Sequence, residues 1–373
     1  MDRTLHSGQL SQPSRATFSL ATPADDAAIR ALLQETSMEG AFRIGFTREP
    51  SYFASPAPAG LEERTLVARR DGRLVSVGAW SDREVWWNGR RTMVGYLHGL
   101  RMARDVAGSM RILREGYAAL AECLQDSPAV GWFTSIDAAN TRARRVLESR
   151  ASGLPRYTKL ADYRTRVWPV PQRGPREAVG NVESWEELTD FLQHESARHE
   201  LALTWDAARW EALARSGFSA RDCVAVRRRG RLVAAAGLWD QSAWKQVVVH
   251  GYPPWLRRLR PWIGWGARCL GLPGLPAPGG RLSFAPVFPF AVAPEAMDTL
   301  PELRRALESL ARTRHIEWLA LGLEARDSLW PNGAAARLGV NYHTILYAVT
   351  GKGFPENPFP ISTSLFRPDC ATL

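Results

Sequence analysis

The sequence has no apolar run long enough to cross a bilayer, and its opening residues, MDRTLHSGQLSQPSR, lack the apolar centre of a secretory signal. Both absences point to the cytoplasm. Cysteine is scarce: Cys123, Cys223, Cys269 and Cys370 stand singly, with neither a CxxC pair nor a nearby histidine pair. Neither a metal site nor a disulfide framework is expected from that spacing. A contiguous basic stripe is also missing. The net charge of +10 is carried almost wholly by arginine, spread along the chain with acids between, so no nucleic-acid partner is expected. The basic cluster Arg227 to Arg231 falls at an expected hairpin turn and reads as a solvated loop.

What is there is a chain of 373 residues, 45% hydrophobic, which is long enough for two cores. Residues 1–15 are polar and unpatterned and are expected to be disordered. Phe18 to Leu20 reads as a short strand, and Thr22 caps a helix through Gln34 with Ile29, Leu32 and Leu33 inward. Arg43 to Phe53 is mixed, and the Pro-rich Ala54 to Gly60 is a loop. Thr65–Arg69 and Leu74–Trp80 form a hairpin around Asp71-Gly72, and Asn88-Gly89 makes a second turn into a central strand ending at Met102.

The stretch Thr92 to Cys123 reads as strand, small-residue turn and helix, with Ser109 as N-cap and Ile112, Leu113, Tyr117, Leu120 and Leu124 at helical spacing. A strand entering a helix N-terminus in this way makes an anion pocket, because the first-turn N–H groups are unpaired and the helix dipole adds to them. Val130–Ile136 is a short buried strand, Ala138–Ser149 a helix with Asn140 near its start, and Tyr157–Trp168 two closing strands. Those elements complete one unit over residues 16–168, and residues 169–180, rich in proline and glycine, read as a linker.

A second unit follows over residues 181–350. Leu66–Trp80 is echoed by Val224–Trp239, and the turn glycines Gly72 and Gly230 lie 158 residues apart, which indicates a domain duplication. Leu282–Val292 is the second central strand, Ile316–Leu323 and Tyr342–Val349 are further strands, and Ala325–Leu338 a helix. Where an anion would lie in this copy the chain carries Glu295, Asp298 and Glu302, so its phosphate site is expected to be lost. An insertion over residues 252–280, with Trp255, Trp262 and Trp265 among arginines, suits either a membrane surface or an interdomain hairpin that buries its tryptophans. The buried hairpin is the preferred reading. Residues 351–373 form a Pro-rich tail with little pattern.

The first half resembles the GCN5-related N-acetyltransferase (GNAT) family, and the whole chain looks like a tandem GNAT protein. The resemblance implies a mixed α/β fold of α+β type, built as two tandem acyl-CoA N-acyltransferase-like domains with a degenerate second copy. It implies acetyl-CoA or another acyl-CoA as co-substrate and no metal. By that likeness Leu100, Arg101 and Met102 hold the pantetheine arm. The diphosphate turn is Arg104 to Ser109, with Ala107 for the first glycine, or begins at Ala107 and leaves Gly108 as its glycine; Met110 follows on the helix. Asn140 with Ala143 matches the family's later helix, and the position of the family's acid tyrosine is Leu147, which cannot donate a proton.

His98 is the candidate general base, since it lies on the central strand and titrates near neutrality, though a histidine hydrogen-bonded inside the sheet fits the same position. Tyr96 and Tyr157 are candidate acids. The implied function is N-acylation of a small-molecule or peptide amine between the domains, and arginine- and tryptophan-rich walls suit an acidic or aromatic amine. Aminoacyl or long-acyl transfer to an envelope or lipid precursor, and a non-catalytic coenzyme sensor, are the alternatives; oligomeric state is not legible.

Overall fold

The structure, a computed structural model, describes residues 14–35, 43–54, 63–174, 180, 182, 184–329, 339–356, 359 and 364–373. In chain order the elements are β1 (Thr17–Leu20), α1 (Asp26–Glu35), β2 (Arg43–Thr47), β3 (Glu63–Arg70), β4 (Arg73–Trp87), β5 (Arg90–Met102) and α2 (Ser109–Cys123). There follow β6 (Trp132–Asp137), α3 (Thr141–Leu147), β7 (Arg156–Pro169), α4 (Trp185–Ser196), α5 (Ala207–Arg215), β8 (Cys223–Arg228) and β9 (Arg231–Leu238). The rest are β10 (Gln246–Gly251), α6 (Pro254–Cys269), β11 (Phe284–Val292), α7 (Leu300–Thr313), β12 (Trp318–Glu324) and β13 (Val340–Thr350).

Local chemistry sets the hairpins. Asp71-Gly72 and Asn88-Gly89 all take positive φ, the conformation a two-residue hairpin turn needs, and they join β3 to β4 and β4 to β5. In the second half Arg229-Gly230 makes the same turn between β8 and β9. Thr22 and Asp25 form a capping box ahead of α1, whose Ile29 and Leu32 are buried against Val67, Leu74 and Val77.

Among the described residues, eleven strands form one mixed sheet in the order β1-β3-β4-β5-β6-β13-β7-β12-β11-β9-β8. The order corrects the expected closing of the first unit. Tyr157–Trp168 is not two strands but part of the single β7, which has no glycine, asparagine or proline between Tyr157 and Trp168 to turn it. β7 pairs with β12 and β13 of the second half, while β6 takes β13 as its antiparallel neighbour. Each half therefore receives its last strand from the other.

Two more segments differ from expectation. Arg43–Thr47 is a strand whose partner, β10, lies in the other half, so no local turn signals it. The tail is not patternless packing: Phe366, Ala371 and Thr372 are buried, the Phe366 N–H donates to Glu324 Oε2 at 2.6 Å, and the Tyr163 hydroxyl donates to Pro368 O at 2.7 Å. The tail is held by buried polar groups, which hydrophobic periodicity does not register. The expected helix Ala325–Leu338 is turn over Ala325–Leu329, and its remainder lies outside the described residues, as do residues 1–13, 55–60 and 175–179 of the expected terminus, loop and linker.

The insertion forms α6, and its tryptophans are not buried: Trp255, Trp262 and Trp265 are 61%, 73% and 67% exposed. Its inner side is carried instead by Leu256 and Gly264. No helix of the described residues is long and apolar enough to cross a membrane.

The core lies on both faces of the sheet. Val94, Tyr96, Phe133 and Tyr163 pack with Leu188 and Leu192 of α4 and with Trp210 and Leu213 of α5. On the other face Trp80, Leu97 and Trp132 pack under Tyr117 and Leu120 of α2, and the α7 residues Leu303 and Leu307 cover the second half's strands. Trp132, 2% exposed, lies across Gly95, and a Cβ built on that glycine would meet the indole at 2.1 Å. Gly95→Ala should therefore overpack the β5–β6 junction and cost roughly 1–3 kcal/mol in urea unfolding; an unchanged midpoint would show that Trp132 can move aside.

Candidate functional site

β5 and β6 run parallel and pair over only three positions, Gly95–Leu97 with Trp132–Thr134. Thr134 Oγ1 donates to Leu97 O at 2.7 Å and ends the contact. Beyond it β5 bulges against β4, with the register shifting between Val77 and Ala79 and with Gly99 at φ 67°, a conformation that favours glycine. From His98 onward no residue of β6 pairs with β5. The strands splay, and a cavity of about 1050 Å³ opens between them.

At one side of the cavity stands the start of α2. Gly108, at φ 69°, is the N-cap, one residue earlier than the expected Ser109, because the chain enters the helix through a left-handed residue that glycine adopts without strain. Ser109 and Met110 then begin the helix with N–H groups that no preceding turn can accept. Arg70 Nη1 donates to Ala107 O at 2.8 Å, and an Arg73–Asp105 ion pair at 2.6 Å braces the turn. Leu100, Arg101, Met102, Arg104, Ser109 and Met110 line the cavity; Ala107 and Gly108 shape the turn without lining it.

Asn140 also lines the cavity, as N-cap of α3: its side-chain oxygen accepts the Ala143 N–H at 3.1 Å. α3 is shorter than the expected Ala138–Ser149 because Asp137 Oδ1 first accepts the Ala139 N–H at 2.9 Å and holds a turn there.

Strand alternation sends Tyr96 and His98 to one face and Leu97 to the other. The Tyr96 and His98 rings stack at 5.1 Å, and the Tyr96 hydroxyl is 2.7 Å from Ser135 Oγ. Tyr157 lines the same cavity from the opposite face, among the residues under α2 and α3, where its hydroxyl bonds that of Tyr117. Burial raises the Tyr157 pKa well above its usual value of 10.0 and also raises that of Tyr96. Tyr157 and His98 therefore do not form one acid–base pair.

No protein-family model matches the sequence, and no curated protein matches it. Solved structures do. A GCN5-related N-acetyltransferase from Sphaerobacter thermophilus is similar at 12% identity, with 91% of this chain and 96% of that one covered and a TM-score of 0.51. An N-myristoyltransferase from Saccharomyces cerevisiae with bound myristoyl-CoA is similar at 11% identity, over 92% of this chain and 82% of that one, with a TM-score of 0.56. The chain has the GNAT fold.

The second GNAT-like unit repeats the splay. β11 and β12 run parallel over Phe284–Pro286 and Trp318–Ala320, and β11 shifts register against β9 between Val287 and Phe290. Glu295 and Asp298 follow that strand in a 3-10 segment, Pro294–Thr299, where the first unit has its glycine turn. Asp298 pairs with Arg228 instead of leaving a cationic opening.

The cavity of the GNAT fold here continues across the sheet to the second unit, beneath a roof made by the β2–β10 ribbon with Leu275 and Leu282. The expected tryptophan-rich wall is absent among the described lining residues, where Trp318 is the one indole; Arg48, Arg101, Arg104 and Arg142 supply the arginines.

A polar nest lies beside His98. It is a second space of about 50 Å³ bounded by Arg48, Glu63, Arg83, Lys245 and the segment Ala371–Leu373, large enough for a water molecule. His98 Nε2 is 3.9 Å from Glu63, which Arg48 holds at 2.9 Å. Burial lowers the His98 pKa to about 4, Glu63 opposing and Arg83 and Arg48 adding to the shift. Burial, with Arg48, also lowers Lys245 to about 8, and burial raises Asp369 to about 7.

Of the nest, sequence reading singled out His98 alone, because Arg48, Lys245 and the tail come from segments distant in sequence. One signal was present: Lys245 is one of three lysines in a chain whose basic residues are otherwise arginine. Among the described residues, no group of His, Cys, Asp and Glu converges to hold a metal.

The His98 shift sets a pH dependence of stability. Its folded pKa lies below the unfolded value of 6.5, so between about pH 6.5 and 4 the unfolded chain binds more protons and stability falls as pH falls. His98→Gln should reduce the stability lost between about pH 7 and 5 by roughly 1–2 kcal/mol in urea titrations. His199, lowered by burial to about 3, leaves a residual slope; equal losses in both proteins would place His98 outside the folding linkage.

Proposed function

We propose that this chain is an acyl-CoA-dependent N-acyltransferase whose first half binds the coenzyme and whose acceptor amine enters the cavity between the halves. One observation carries the reading: a single cavity runs from the free N–H groups of α2, through the β5–β6 splay, to a half-buried histidine whose lowered pKa keeps it neutral near pH 7. The α2 N-terminus suits a diphosphate. The open edge of β5 suits an extended pantetheine arm, and its far end sets the thioester beside His98.

His98 there accepts a proton from the acceptor ammonium, and Glu63 stabilises the imidazolium that forms. The free amine forms a C–N bond at the thioester carbonyl, the C–S bond breaks, and the leaving thiolate takes up the proton that the nitrogen loses as it becomes an amide. Alignment of donor and acceptor along the splay supplies much of the rate. Geometry favours His98, which follows the last β5–β6 pair; pKa matching favours Lys245, which lies nearer the working pH.

Kinetics separate the two. With His98 as base, the kcat profile shows no limb near pH 8 and His98→Gln lowers kcat by about 10²-fold or more. A limb near pH 8 that Lys245→Met removes would assign the proton to Lys245 instead.

The donor's acyl group admits a second reading. Acetyl is the smallest donor, but apolar residues from both halves, Ile44, Phe46, Val247, Leu282 and Phe284, line the cavity beyond the splay and suit a longer chain. The yeast neighbour, similar in fold alone, carries myristoyl-CoA.

Calorimetry with coenzyme A, acetyl-CoA and myristoyl-CoA tests both points, alongside Ser109→Glu. An acid in the first turn favours the helix dipole, so the variant keeps α2 while opposing a phosphate. Native binding that the variant weakens by about tenfold or more places the diphosphate at that turn. Affinity that rises with acyl length selects a long-chain donor, and no binding of any of the three removes the acyltransferase reading. Binding with no turnover across an amine panel selects the sensor.

A further inference from the structure

We propose that α6 is a docking surface for an anionic lipid bilayer. Of the ten exposed large hydrophobic side chains among the described residues, six lie in this one helix and its C-cap: Trp255, Leu259, Trp262, Ile263, Trp265 and Leu270. Trp255, Leu259 and Trp262 follow the i, i+4, i+7 spacing that puts them on one side of a helix. Such a concentration on one outward side is unusual for a surface that meets only water.

The helix is anchored from its other side. Leu256 is buried with Ile44, Val247 and Val249 of the β2–β10 ribbon, and the Tyr252 hydroxyl donates to Pro276 O at 2.8 Å. The indoles are thus presented by a fixed support.

Charge identifies the partner. No acidic residue occurs between Asp240 and Glu295, whereas Arg257, Arg258 and Arg268 are exposed along the helix. Among the described residues none of these three has a carboxylate partner. Indoles and aliphatic side chains that enter the headgroup region, flanked by guanidinium groups without carboxylate partners among the described residues, match a bilayer carrying anionic lipid.

The segment that follows the helix bonds back to it, Arg260 Nη1 donating to Leu275 O at 3.3 Å, and Leu275 and Pro276 of that segment line the cavity. On the acyltransferase reading, docking at α6 would bring the cavity close to a bilayer that holds a substrate with an apolar tail. Docking itself does not depend on that reading.

The test is flotation of the full chain with phosphatidylcholine vesicles, with and without about 30% phosphatidylglycerol, at low and high salt. The native protein should float with the anionic vesicles at low salt. Trp255→Ser/Trp262→Ser/Trp265→Ser should lower the bound fraction by about tenfold or more, and Arg257→Glu/Arg258→Glu should abolish the preference for phosphatidylglycerol. Brominated lipid should quench the native tryptophan fluorescence, a readout that needs no variant.

Native protein that stays at the bottom with anionic vesicles overturns the proposal, as does a triple variant that floats equally well. A dimer in sedimentation velocity that the triple variant converts to monomer would instead assign the face to a second copy of this chain. Coenzyme binding is scored separately by calorimetry, so failure of the acyltransferase reading leaves these outcomes intact.

Discussion

The parting of β5 from β6 after three paired positions is the constraint on which the site depends. Parallel pairing leaves no hairpin to hold the strands together, and the bulge at Gly99 turns β5 toward β4. Trp132 closes the paired end against Gly95, so the opening is confined to the end near α2. A wider pairing would satisfy more backbone groups and leave no cavity. The exposed edge of β5 is thus a cost in hydrogen bonding, located where a ligand backbone can restore it.

The polar nest is a second such cost. Arg48, Glu63, Arg83, His98, Lys245 and Asp369 gather from β3, β4, β5, the tail and the segments that flank the β2–β10 ribbon. A buried ion cluster usually stabilises a fold less than apolar residues of the same volume. Its hydrogen bonds keep it from collapsing the fold: Arg83 Nη1 donates to Thr372 Oγ1 at 3.2 Å, and Gln241 Nε2 donates to Ala371 O at 3.0 Å. Groups that could have been replaced by leucine, held at shifted pKa values beside a cavity, are the arrangement expected of a chemical site.

How much of this was legible follows from the range of each interaction. Asp71-Gly72, Asn88-Gly89 and the repeat at Gly230 announced their hairpins because a positive φ is a property of the residue itself. The central strand, the α2 turn and His98 could be read for the same reason. The pairing of β2 with β10 could not, since neither strand carries a signal for a partner some two hundred residues away, such as the 199 separating Thr47 from Gln246. Lys245 entered the site through that pairing and was missed with it. The α6 tryptophans were misread because exposure depends on what covers a helix, and helical periodicity describes only which residues share a side.

The exchange of β7 and β13 makes the two halves one structure. β13 completes the first unit beside β6, and β7 completes the second beside β12, so neither half closes its sheet alone. The second half carries Glu295 and Asp298 where the first has its glycine turn, and its last strand nonetheless seals the first half's core. Its ribbon strand β10 and the residues after α6 roof the cavity that the first copy opens. A duplicated fold whose copies merely touched could place a ligand between them only as well as the joint was rigid. Here the floor of the cavity is one hydrogen-bonded sheet, and the relative position of the two halves is fixed by the same strand pairs that build their cores.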